Sequence, residues 1–114
     1  GGRMVKKFTP KVDIAETDKS FEIQLQLPGI PKDQINIAIE KNQIIVSGER
    51  NIEKNEKGKK FNSIESHFGT FSRSFTLPED INKDKIEAHH IHGILTINIP
   101  KDVKKMVKKS ITIN

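Results

Sequence analysis

The chain reads as an all-β, immunoglobulin-like antiparallel β-sandwich. Two observations predict this. Several short segments alternate apolar and polar residues with the period of two that a half-buried strand requires. Turn residues stand between those segments at regular intervals: Pro28-Gly29, Gly48, Pro78 and His92-Gly93. A length of 114 residues fits one domain, large enough to remove about two thirds of the unfolded surface from water.

Taken in order, Gly1-Gly2-Arg3 reads as a cut site or cloning scar, and residues 1–7 are set outside the domain as a remnant or shortened N-terminal arm. Val12 and Ile14 suggest a short leading strand. Phe21–Leu27 places Phe21, Ile23, Leu25 and Leu27 on one face, and Ile35–Ile39 does the same with isoleucines. Ile44–Val46 follows a turn at Lys41-Asn42-Gln43. Phe71–Leu77 and Leu95–Ile99 repeat the pattern, and Lys85–His90 suggests one more strand. The abundant isoleucine suits this architecture, because β-branched side chains pack well on a pleated surface. Pro31–Gln34 and Pro78–Asp80 each fit a single helical turn, too short to build a helical layer.

Two regions leave the strand rhythm. In Glu49–Lys60 eight of twelve residues are charged, which predicts an exposed, mobile loop across 49–66. The domain proper is expected to run from 8 to 100, with 101–114 as a C-terminal extension ending in Ser110-Ile111-Thr112-Ile113-Asn114. The extension holds five lysines and one acid; without it 15 basic residues face 14 acidic ones, so four of the five net positive charges belong to the tail. A nearly neutral domain offers no basic groove, which argues against nucleic acid as a partner.

The composition excludes several chemistries. With no cysteine there is no disulfide, thiolate nucleophile or Cys-ligated zinc, and a cysteine-free chain fits a reducing cytoplasm. No apolar run approaches the ~18 residues of a membrane span. His90 and His92 would share a strand face at a spacing that suits two imidazoles on one metal ion, but a third ligand is not evident, and solvated strand-end histidines are the favoured reading. Serines and histidines are present without a G-x-S-x-G elbow, and no Gly-rich phosphate loop occurs. Phe61, Phe68, Phe71 and Phe75 beside Lys59 and Lys60 resemble a base-stacking platform only superficially, since Phe71 and Phe75 are in register with Leu77 and belong to the core. No catalytic residue, cofactor or metal site is expected. Ile111 and Ile113 are different: two residues apart, they share one face of an extended segment and have no local core to join. They predict a tethered peptide that docks in an apolar slot or along a sheet edge.

Several stretches together resemble the small heat-shock proteins, whose shared module is the alpha-crystallin domain. They are Pro10–Thr17, Leu27-Pro28-Gly29 with Lys32, Ser47–Arg50, Gly69–Pro78 with Arg73 in the position of the family's well-known arginine, Gly93–Lys101, and Ile111–Ile113 as the C-terminal I-x-I motif. The resemblance implies an ATP-independent holdase that binds partly unfolded client proteins and assembles with itself. It implies a homodimer made by exchanging a strand around Phe61–Glu65 onto the partner's leading strand, so that Val12, Ile14, Phe61, Ile64, Glu65 and Arg73 form the dimer interface. It also implies higher oligomers, in which Ile111 and Ile113 dock in a groove of Ile35, Ile37, Ile39, Ile86, Ala88 and His90. Two departures are visible. Ser66-His67 stands where the family often has a second arginine, and only Gly1–Lys7 precede the domain where members carry a hydrophobic arm. The alternative is a scaffold or co-chaperone sandwich that binds one folded partner; the I-x-I segment and the charged loop favour the holdase.

Overall fold

A computed structural model of the chain describes residues 3–52, 66–105 and 111–114. Within them lie eight strands: β1 (Arg3–Lys7), β2 (Val12–Glu16), β3 (Ser20–Gln26), β4 (Ile35–Glu40), β5 (Gln43–Ile52), β6 (Ser66–Thr76), β7 (Glu87–Ile91) and β8 (Ile94–Pro100). They form two four-stranded sheets, in the orders β1-β6-β5-β4 and β2-β3-β8-β7. The all-β sandwich is therefore present. Its pairings are antiparallel apart from β1 with β6, which is parallel.

Alternation translates directly into the core. Ile23 pairs with Ile97 and Leu25 with Leu95 across β3 and β8. Phe71 lies on the facing sheet with Ile44 and Val46, and all seven are buried. Leu27, Ile30, Leu77 and Ile81 close the ends of this layer. The β7–β8 hairpin turns on His92 and Gly93, with φ of 52° and 76°, the two positive values that a type I′ turn demands. A side chain at position 93 would also crowd Pro28, whose Cα lies 3.3 Å from the site of a Cβ.

Several details depart from the sequence reading. Arg3–Lys7, set outside the domain, forms β1 against the edge of β6. Its ladder uses backbone groups, which no side-chain pattern announces. Glu49–Ile52 is strand rather than loop, because the β5–β6 ladder continues to Ile52 opposite His67; residues 53–65 lie outside the described residues. The second helical turn falls on Lys83–Lys85 instead of Pro78–Asp80, where the Asn82 side chain accepts a hydrogen bond from the Asp84 N–H and caps it. The first, Lys32–Gln34, forms as expected.

The root of the tail is strapped to the domain. The Lys101 N–H donates to the Lys19 carbonyl, and the Lys101 ammonium lies 3.0 Å from Glu16 Oε2 and 4.8 Å from the Phe21 ring centroid. The Asp102 N–H donates to the Asp80 carbonyl, and Lys105 Nζ donates to the Ile81 carbonyl at 3.2 Å.

Candidate polypeptide-binding seams

Each sheet ends in a strand whose core-facing side chains are not covered. In β4, Ile35, Ile37 and Ile39 pair with Gly48, Val46 and Ile44 of β5 and so point to the same face as the fully buried Val46 and Ile44. Yet Ile37 is 38% and Ile39 42% exposed. In β7, Ala88 and His90 pair with Ile97 and Leu95, again the core face. Ala88 is exposed and His90 half-buried, its Nε2 shielded and without a hydrogen-bond partner. Ile35 and Ile86 are half-buried against the core. The β4–β5 turn and the turn before β7 meet where Lys83 Nζ donates to the Lys41 carbonyl at 2.8 Å. β4 and β7 are the outermost strands of their two sheets, so Ile35, Ile37 and Ile39 lie on one sheet edge and Ala88 and His90 on another, with Ile86 just before β7.

A second seam runs along β2 and β6. Val12 and Ile14 face the core opposite Leu25 and Ile23, but Val12 is only half-buried and Ile14 is 62% exposed. β1 pairs with β6 only from Ser66 to Thr70, so among the described residues Phe71–Thr76 has a neighbouring strand on one side alone. The link from Phe8 to Lys11 crosses from that edge to β2: the Phe8 N–H donates to the Thr70 carbonyl, and the Lys11 carbonyl accepts from Gln26. Arg73 pairs with Val46 and Phe75 with Ile44, placing both on the core face. The Arg73 guanidinium stacks 5.6 Å from the Phe75 ring centroid, and among the described residues no carboxylate forms an ion pair with it.

Of the remaining predicted residues, Ile111 and Ile113 are 84% and 94% exposed, and Phe61, Ile64 and Glu65 lie outside the described residues. Phe75, expected in the core, is half-buried and packs against it. Its spacing of two from Arg73 puts ring and guanidinium on one face. Among the described residues no cluster of three or more metal-ligating side chains occurs. Nor, among the described residues, is any helix long and apolar enough to cross a membrane.

Residues 13–114, from β2 to the end of the tail, match the model of the Hsp20/alpha crystallin family. The chain belongs to that family. Small heat shock protein C2 of Rickettsia felis is 36% identical over 104 residues, covering 91% of this chain and 68% of its own. The 17.8 kDa class I heat shock protein of Solanum lycopersicum is 37% identical over 106 residues, covering 91% and 69%. This chain thus spans about two thirds of the length of both relatives. Among solved structures, a small heat-shock protein from Xylella fastidiosa, described as having a distinct high order structure, superimposes with a TM-score of 0.72 at 34% identity, covering 94% of this chain and 97% of that one. Heat shock protein 16.0 from Schizosaccharomyces pombe gives 0.70 at 28% identity, covering 95% and 77%. Membership in the Hsp20/alpha crystallin family assigns this chain a chaperone role, and its two sheets are those of an alpha-crystallin domain.

Proposed function

We propose that this protein is an ATP-independent holdase that binds partly unfolded polypeptides at its sheet edges and assembles through strand-exchanged dimers and tail docking. One observation carries the reading: on both edges of the sandwich, core-facing isoleucines stay exposed beside strand edges that no other strand among the described residues pairs with. Open edges are a liability that folds normally blunt. Left open and apolar, they suit extended segments that supply a strand and a few side chains.

The first seam takes Ile111 and Ile113 of another subunit, whose spacing of two delivers both side chains into one slot. From Lys105, the last of the described residues to be anchored before the tail's end, six residues lead to Ile111 and reach at most about 20 Å. The second seam receives the partner's segment around Phe61–Glu65 along β2, burying Val12 and Ile14 and bringing a carboxylate to Arg73. The cysteine-free chain works in the reducing cytoplasm.

The decisive experiment is suppression of heat aggregation of several unrelated proteins without ATP. Activity on all of them is the expected result; activity on none turns the reading toward a scaffold with one folded partner. Arg73→Ala is expected to weaken the dimer by about 2 kcal/mol, the loss of one charge-assisted hydrogen bond at the interface. Unchanged dimer dissociation and thermal midpoint would remove that role from Arg73.

A further inference from the structure

Phe8, at the end of β1, is held as an inserted side chain rather than as a member of either sheet's face. Its N–H donates to the Thr70 carbonyl at 2.8 Å. Its ring lies 5.5 Å from that of buried Phe71, tilted by 52°. The Arg50 guanidinium sits 5.0 Å from the ring centroid, within cation–π range. Beneath it is Gly69, where a Cβ would come within 3.3 Å of two Phe8 ring carbons. Arg50 Nη1 is fixed on the Pro28 carbonyl at 3.0 Å, while Nε is shielded and has no partner. Glycine floor, aromatic wall and cationic lid make a cradle shaped for one aromatic side chain.

What holds the occupant is slight. β1 is a five-residue strand whose pairing with β6 is parallel, a geometry slightly less stable per residue than the antiparallel one. Val5 is 54% exposed, and Lys6 and Lys7 are exposed as well, so among the segment's described side chains Phe8 is the main apolar anchor. Beyond it a hollow of about 420 Å³, lined by Lys7, Phe8, Thr9, Thr70, Phe71 and Ser72, continues along the uncovered part of β6.

We propose that the Gly69–Phe71–Arg50 cradle is a peptide-binding site for an extended segment carrying an aromatic residue, occupied in cis by β1 and Phe8 and vacated when β1 lifts. The bound segment forms a parallel strand on β6 and places its aromatic ring where Phe8 lies. That such segments come from unfolding clients rests on the holdase reading; the site itself rests on the cradle.

The test uses full-length chains and a fluorescent peptide of sequence RMVKKFTP, residues 3–10, beside the same peptide with alanine for phenylalanine. Phe8→Ala is expected to bind the phenylalanine peptide at least tenfold more tightly than the wild type, and to show no such gain for the alanine peptide. Adding Gly69→Val fills the cradle and should return affinity to the wild-type level. A Lys7→Cys, Thr70→Cys variant joins neighbours in the β1–β6 register, and in this cysteine-free chain that disulfide has no competitor. Oxidation should abolish peptide binding and reduction restore it, a comparison that keeps Phe8 and stands even if Phe8→Ala fails to fold. Equal affinity for the two peptides, indifference to Gly69→Val, or indifference to the crosslink overturns the proposal. Peptide binding without aggregation suppression in any variant upholds the cradle and removes the holdase reading. Suppression with no peptide binding does the reverse.

Discussion

Replacing Ile111 and Ile113 together by alanine is expected to lower the solution mass of the assembly to that of a dimer, read by light scattering. Both side chains are almost wholly exposed on the isolated chain, so each gains its full burial on docking. Together they contribute about 3–6 kcal/mol gross, set against the ordering of the tail. Truncation to alanine removes most of that gain and leaves the ordering cost. The dimer should survive, because the seam proposed for it lies along β2 and β6. Ile37→Lys should act like the tail variant, placing a charge on the slot side of β4. Unchanged mass in both variants, or a wild type no larger than a dimer, would remove the docking reading.

Gly48→Ala is expected to cost the domain about 2–3 kcal/mol, a fall of about 10–15 °C in thermal midpoint. Gly48 sits within β5, between Ile35 and Phe71 in register. A Cβ there would lie 2.6 Å from the Gln34 carbonyl oxygen and 2.8 Å from Phe71 Cε1. The first neighbour is backbone and the second a buried ring, so neither yields cheaply. A midpoint within 3 °C of the wild type, on the order of measurement scatter against the shift expected, would show that the turn at Lys32–Gln34 relaxes freely.

Gly48 also shows where reading the chain went astray. In the sequence it counts as punctuation between strands, as Gly93 does. Gly93 is indeed a turn residue, with positive φ beside His92. Gly48 is a ladder residue whose missing side chain admits a neighbouring backbone, a use of glycine in strands that has the same one-letter signal. The charged stretch from Glu49 misled for a related reason. Polarity predicts exposure, and strand β5 carries Glu49 and Arg50 because β6 hydrogen-bonds alongside, not because their side chains seek the core.

The predicted groove was legible in part. The spacing of Ile35, Ile37 and Ile39 placed them on one face, and the structure agrees. That the face would stay half open, with Ile37 and Ile39 exposed while their partners Val46 and Ile44 are fully buried, could not be read from β4 itself. Residues Phe8, Arg50 and Gly69 are far apart in the chain and belong to no periodic pattern, so nothing local linked them.

Side-chain parity, turn chemistry and the composition of the tail are local properties, set by bonds within a few residues. They were enough to establish an all-β sandwich, the inward faces of β3, β4, β5 and β8, the hairpin at His92-Gly93 and the solitary I-x-I segment. Whether a strand is central or at an edge depends on which distant segments take up its N–H and C=O groups. That pairing decided the seams at β4–β7 and β2–β6, the attachment of β1 to β6 and the cradle around Phe8, because only the assembled sheets leave some core-facing side chains without a cover.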